Sequence, residues 1–168
     1  MKHLILLNGT MGVGKTSVCQ CLKQKLSHCV FLDGDWCWDM HPFTVDKETK
    51  ALVLDNITFV LNRDLACKTF DYILFCWVIH EESILQDLLR RLHTQACRVR
   101  TYSLLADADS IQKRIQKDID AGLRTPDVIG RSLSRLTNYD KMDTIKVDTS
   151  NRTIEETAQW LYEDILYN

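Results

Sequence analysis

Three of the six glycines of this 168-residue chain fall within six positions, in Gly9-Thr10-Met11-Gly12-Val13-Gly14-Lys15-Thr16. The spacing Gly-x-x-x-x-Gly-Lys-Thr lets successive backbone N–H groups turn inward around a phosphate, a curl that Cβ atoms would obstruct. A helix from Thr16 to about Leu26, with Val18, Leu22 and Leu26 on one face, would add its positive end. In that arrangement Lys15 bridges the β- and γ-phosphates of a nucleoside triphosphate and the Thr16 hydroxyl binds Mg²⁺. Residues Gly9 to Ser17 are the expected nucleotide-binding run.

A second group follows one strand later, Phe31-Leu32-Asp33-Gly34-Asp35-Trp36-Cys37-Trp38. Read as extended chain, Asp33 and Asp35 point the same way from a strand's C-terminal end, where parallel α/β sheets bind ligands. One carboxylate can hold the Mg²⁺ water shell while the other accepts the proton of an acceptor hydroxyl. An ordinary turn with solvated acids is the plainer reading. Other nucleotide chemistries fit less well. Asn138-Tyr139-Asp140-Lys141 is not an Asn-Lys-x-Asp guanine reader, and Val78-Ile79-His80-Glu81-Glu82 only approximates the Asp-Glu strand end of a motor ATPase.

Residues 36–66 should cover the acceptor. Trp36, Trp38, Met40 and Phe43 read equally as a pocket wall or as core. In this window Asp39, Asp46, Glu48, Asp55 and Asp64 outnumber Lys47, Lys50 and Arg63, and Arg63 is the only arginine. A phosphorylated acceptor would call for several arginines, so the charge favours a neutral or cationic hydroxyl compound over a nucleoside monophosphate. His80 and Glu81 should end the third strand near the same pocket, Glu81 serving equally well as a helix cap.

These groups need a scaffold, and the chain alternates strand and helix. His3–Leu7, Cys29–Leu32, Tyr72–Ile79, Arg98–Leu105 and Thr144–Val147 read as strands, the third almost unbroken in apolar residues, as in a central parallel strand. Ile84, Leu85, Leu88, Leu89 and Leu92 form one helical stripe, and Ile111, Ile115 and Ile119 another that Gly122 should stop. Thr125-Pro126 predicts a helix near 126–139, and the capping box Thr153-x-x-Glu156 predicts a last helix burying Ala158, Leu161 and Ile165. The pattern predicts one three-layer α/β/α domain over residues 1–168. Net charge is −2 and no basic field is present to hold nucleic acid. No apolar run is long enough to cross a membrane. Seven scattered cysteines read as buried thiols of a cytoplasmic protein rather than a zinc site.

The phosphate loop, Asp33-Gly34-Asp35 and the late arginines resemble the small P-loop kinases of the nucleoside-monophosphate-kinase-like group, which includes shikimate kinase, gluconokinase and chloramphenicol phosphotransferase. The resemblance runs over most of the chain. It implies a P-loop NTPase fold with a five-stranded parallel sheet ordered 2-3-1-4-5, an acceptor region at about 36–66 and a lid at about 122–141. It implies that Thr16 and Asp33 serve Mg²⁺ and that Asp35 touches the acceptor hydroxyl as its base. Lid arginines of this group clamp phosphates and one stacks on adenine. Arg124, before the Thr-Pro helix start, is the lid candidate beside Lys15, and Arg114 is the base-stacking candidate. The group's frequent arginine four residues after Arg114 is Asp118 here. Arg131 and Arg135, four apart, are either acceptor or phosphate ligands or a solvated helix face. Residues 148–152, including Asn151, resemble the adenine-side loop. The expected activity is transfer of the γ-phosphate of Mg·ATP to a hydroxyl of a small molecule, by a monomer or homodimer without nucleic-acid or membrane partners. A nucleoside monophosphate kinase, or a nucleotide-responsive regulator or slow NTPase without acceptor chemistry, are the alternatives.

Overall fold

The computed structural model describes residues 1–167. Five parallel strands, β1 (Lys2–Asn8), β2 (Cys29–Asp33), β3 (Tyr72–Cys76), β4 (Cys97–Leu105) and β5 (Ile145–Asp148), form one sheet in the order 2-3-1-4-5. β1 is central, and Leu4, Ile5, Leu6 and Leu7 are all buried. Because successive side chains of a strand alternate, this apolar run feeds two cores at once. Ile5 and Leu7 join Val18 and Leu22 of α1 (Lys15–Lys25), Ile111 and Ile115 of α4 (Ala108–Asp120), and Leu161 and Ile165 of α7 (Ile154–Tyr167). Leu4 and Leu6 face the other way, onto Val53, Ile57, Leu61 and Leu65 of α2 (Lys47–Ala66) and Leu85 and Leu88 of α3 (Glu82–Arg91). Helices therefore cover both faces, giving the expected three-layer α/β/α architecture with the phosphate loop at the C-terminal end of the central strand.

Local signals are realised where they were strongest. Glu156 N–H donates to Thr153 Oγ1 at 3.1 Å, and Thr153 N–H to Glu156 Oε2 at 2.8 Å, closing the capping box of α7. Gly122 follows α4 at φ +72°, with its N–H bonded to Ile119 O and that of Leu123 to Asp118 O, so it stops the helix as expected.

Three expectations are corrected. β3 ends at Cys76 rather than Ile79, because the chain then leaves the ladder: Trp77 N–H donates to Leu7 O, and Ile79 N–H to the side chain of Asn8. The helix expected near 126–139 is two short ones, α5 (Asp127–Leu133) and α6 (Leu136–Asp140), separated where Arg135 N–H bonds the nearer Ser132 carbonyl and tightens the turn. Asp33-Gly34-Asp35 does not continue as extended chain. Gly34–Trp38 forms a 3-10 turn, capped by Asp33, whose Oδ1 accepts from Asp35 N–H at 3.0 Å. The longest described helix, α2, spans a stretch for which no helix was expected. Its signals are a capping box between Asp46 and Thr49 and a four-step apolar row from Val53 to Leu65.

Candidate active site

The glycine loop adopts the backbone its composition demands. Gly9, Gly12 and Gly14 have φ of +146°, +80° and +100°. At Gly12 a Cβ would also stand 2.5 Å from Cγ1 of Ile115, so the loop lies directly on α4. Asn8 steers the entry: its buried Oδ1 accepts from Gly9 N–H at 2.8 Å and from Ile79 N–H at 2.9 Å, tying the loop to the segment after β3. On the other side, Ser132 of α5 donates to Met11 O at 2.7 Å and Thr10 Oγ1 donates to Ser132 O at 3.0 Å. Lys15 Nζ donates to the carbonyls of Gly9 and Thr10, both at 2.9 Å. Burial lowers the pKa of this ammonium, opposed by the nearby Cys76, Asp35 and Asp33.

Thr16 Oγ1 donates to Asp33 Oδ2 at 2.6 Å, so the two residues expected to serve Mg²⁺ are in contact. A hydroxyl and one carboxylate suit a Mg²⁺ ion that takes its remaining ligands from nucleotide phosphates and water. Among the described residues no group of three or more His, Cys, Asp or Glu side chains forms a protein-only metal cage. Asp35 stands one residue beyond Gly34, with the Trp77 side chain beside its carboxylate. Burial, then the Asp33 charge, raises its pKa, while Lys15, Arg124 and the Trp77 side chain pull it down. Gly34 is there because nothing larger fits: a Cβ would lie 2.5 Å from the Trp77 ring.

Two cavities meet at this point. The first, about 620 Å³, is bounded by residues 11–18 of the loop and α1, by Arg114, Lys117 and Asp118 of α4, and by Thr149 and Arg152 after β5. The second, about 890 Å³, is bounded by Trp36, Trp38, Asp39 and Phe43, by residues 122–125, and by Val128, Arg131 and Arg135. Met11, Asp35, Val78 and Arg124 border both. Arg124 is held by Asp118, Nε to Oδ2 at 2.8 Å. Arg131 pairs with Asp127 at 2.7 Å, whereas Arg135 has no ion pair among the described residues.

The structure thus gathers Lys15, Thr16, Ser17, Asp35, Arg114 and Arg124 around the first cavity, and Trp36, Trp38, Arg131 and Arg135 around the second. Arg114 is fastened there, donating to Thr149 O at 2.6 Å and Thr149 Oγ1 at 3.1 Å. Asn151 is exposed on the turn after β5, and Thr149, Arg152 and Thr153 line the cavity in its stead. His80 borders neither cavity: its Nδ1 is buried without a partner, and burial, with Arg135 nearby, lowers its pKa. The charge count over 36–66 is corrected too, because Asp39 is the only charged residue of that window at the second cavity, whose cations come from residues 124–135. Asn8, Ser132, Trp77 and Asp118 are additions. Only Asn8, a polar residue closing an apolar strand, carried a sequence signal.

The model of the AAA domain family matches residues 5–124. No curated protein matches the chain by sequence. Solved structures with the same fold include the tunicamycin resistance protein of Deinococcus radiodurans, at 18% identity and TM-score 0.72 over 98% of this chain and 96% of that one. Shikimate kinase from Acinetobacter baumannii in complex with shikimate aligns at 21% identity and TM-score 0.68, over 99% and 94% of the two chains. A gluconokinase from Sinorhizobium meliloti 1021 aligns at 14% identity and TM-score 0.66, over 99% and 96%. With a phosphate loop on a 2-3-1-4-5 sheet and a family match over most of its length, the chain belongs to the AAA domain family and has the fold of the small P-loop kinases.

Proposed function

We propose that this protein is a cytoplasmic kinase that moves the γ-phosphate of Mg·ATP to a hydroxyl of a small-molecule acceptor. The observation that carries the reading is the position of Asp35 and Arg124, a candidate base and a cation at the junction of a nucleotide-sized cavity and a second one. In this reading residues 1–168 form one kinase domain, residues 36–66 contribute to the acceptor side and residues 122–141 act as the lid. The acceptor hydroxyl gives its proton to the Asp35 carboxylate as its oxygen bonds the γ-phosphorus. The bond from that phosphorus to the β–γ bridging oxygen breaks, and its electron pair leaves with ADP. Lys15 and Arg124 offset the charge spread over the transferring group, which is most of what phosphoryl transfer asks of a protein. Thr16 and Asp33 would hold Mg²⁺, which withdraws charge from the phosphate oxygens when bound. The seven free cysteines suit a reducing compartment. Arg131 and Arg135 at the second cavity could also meet an anionic group, which keeps a nucleoside monophosphate among the candidates.

The test is a coupled ADP-release screen over nucleosides, nucleotides, polyols, shikimate and aminoglycoside- or phenicol-type antibiotics, run beside Asp35→Asn. Mg·ATP at 100 times its Kd should stabilise the fold by about 2.7 kcal/mol in both proteins. Transfer should fall by about 10²–10⁴-fold in the variant, the usual contribution of a positioned base. No melting shift with any nucleotide refutes the nucleotide site, and unchanged turnover in Asp35→Asn refutes the base.

A further inference from the structure

The second cavity has an apolar mouth that the transfer chemistry does not require. Three of the most exposed large apolar side chains of the protein line it: Trp36 at 53%, Phe43 at 66% and Leu123 at 76% exposure. Single exposed apolar residues are ordinary, but several around one concave site mark a binding surface. Two of them are braced from behind. Trp36 stands edge-on against Phe31, ring centroids 5.3 Å apart, and Phe43 leans on Trp38 at 5.9 Å. Leu123 comes from the opposite wall, between Gly122 and Arg124 on the segment after α4. One wall is therefore a fixed aromatic surface, and the other is a leucine on the same short segment as Arg124, which borders both cavities.

We propose, resting on the kinase reading above, that the acceptor is an amphiphilic alcohol. Its reacting hydroxyl lies at Asp35, and an apolar body is held between Trp36 and Phe43 on one side and Leu123 on the other. The cavity, about 890 Å³, has the size of a small-molecule site, which makes the occupant a small molecule rather than a protein surface. A fully hydrophilic polyol would leave these three side chains as wet after binding as before. An apolar body removes them from water, so part of the binding energy comes from a portion of the acceptor that does not react. The segment that brings Arg124 toward the phosphates also brings Leu123 onto that body, coupling acceptor capture to charge placement.

The test uses n-alkyl β-D-glucosides from ethyl to hexyl, below their aggregation concentrations, with Mg²⁺ and a non-hydrolysable ATP analogue. The hydroxyl-bearing head is constant and only the apolar body grows. Calorimetry should show affinity rising about twofold per methylene, half the effect of full burial, and so more than tenfold across the series. Leu123→Ser, which alters a side chain largely in solvent, should flatten the rise, and Phe43→Ser should do the same from the opposite wall. A flat series in the unaltered protein, no binding of any glucoside, or a slope in both variants as steep as in the unaltered protein overturns the inference. Loss of the kinase reading is seen separately, as a missing Mg·ATP melting shift.

Discussion

Gly34→Ala tests how the candidate base is aimed. The glycine does not have a left-handed backbone, so the substitution carries no conformational penalty of that kind. Its effect comes from a neighbour: the new Cβ would stand 2.5 Å from Cγ, 2.6 Å from Cδ1 and 3.0 Å from Cβ of Trp77. Ordinary contact begins at 3.4 Å, so the indole must retreat by about 1 Å. Trp77 is not free to do so. Its backbone N–H is bonded to Leu7 O at 3.2 Å and its ring packs against the core that Leu4 and Leu6 help to form. Forced overpacking of this kind costs about 1–3 kcal/mol. At about 2–4 °C per kcal/mol for a chain of this size, the melting temperature should fall by several degrees. The functional consequence follows from the Trp77 side chain lying beside the Asp35 carboxylate. A displacement near 1 Å at a reacting group can cost about 10²-fold in rate. Transfer is measured by ADP release with the acceptor found in the screen, well below the melting point so that the variant is folded. Mg·ATP should still raise the melting temperature by the usual amount, because neither Gly34 nor Trp77 lines the first cavity. A variant whose turnover stays within twofold and whose melting point does not move would refute the claim that Trp77 fixes the base.

The pH dependence of Asp35 has a definite sign. Burial and Asp33 raise its pKa, so the acid limb of kcat/KM should lie above the ordinary carboxylate value of about 3.9. A carboxyl raised in the folded state contributes stability below its unfolded pKa and loses it as pH rises through the folded one. Asp35→Asn should therefore melt higher than the unaltered protein at pH 7, with the gap closing as pH falls toward about 4; thermal scans over that range check it, and a constant gap contradicts it. Ser132→Ala removes the donor to Met11 O, leaving a half-buried carbonyl short of a partner at about 1 kcal/mol, and loosens one wall of the phosphate loop. Both a lower melting point and a severalfold weaker Kd for Mg·ATP are expected; a change in stability with nucleotide affinity intact would show that α5 does not support the loop.

What the sequence made legible depends on how far each residue's constraint reaches along the chain. The phosphate loop was readable because its requirements are local: three positive φ angles, a lysine and a hydroxyl within a few residues, between an apolar strand and a helical stripe. The sheet order followed from resemblance and the layers from alternation, with β1 burying side chains on both faces. Asp33 and Asp35 stand together at the strand end, though not by period-two alternation, because the chain enters a 3-10 turn at Gly34. The two carboxylates differ in their contacts, Asp33 holding Thr16 and the turn, and Asp35 lying beside Trp77. The helix α2 carried its own local signals, the Asp46 and Thr49 capping box and the row from Val53 to Leu65.

The residues that escaped prediction share a physical character. Ser132 meets Thr10 across 122 positions of sequence, Asn8 meets Ile79 across 71, and Gly34 is required by a ring that approaches it only in the folded chain. Each contributes shape rather than charge. Charged groups advertise themselves by type, because a lysine after glycines or paired acids after a strand have few other uses so close together. The residues that hold them in place are small or neutral, serve equally well anywhere in a fold, and acquire their role only from partners distant in sequence. The same division holds at the second cavity. Charge counted over a contiguous window described α2 and its flanks, while the cavity draws its guanidiniums from a segment some 60 or more residues further on, at Arg124, Arg131 and Arg135. Asp118 belongs with the positioning residues despite its charge: it meets Arg124 only because Gly122 turns the chain back at the end of α4. The chemistry of this site is written in residue types, and its aim is written in the fold.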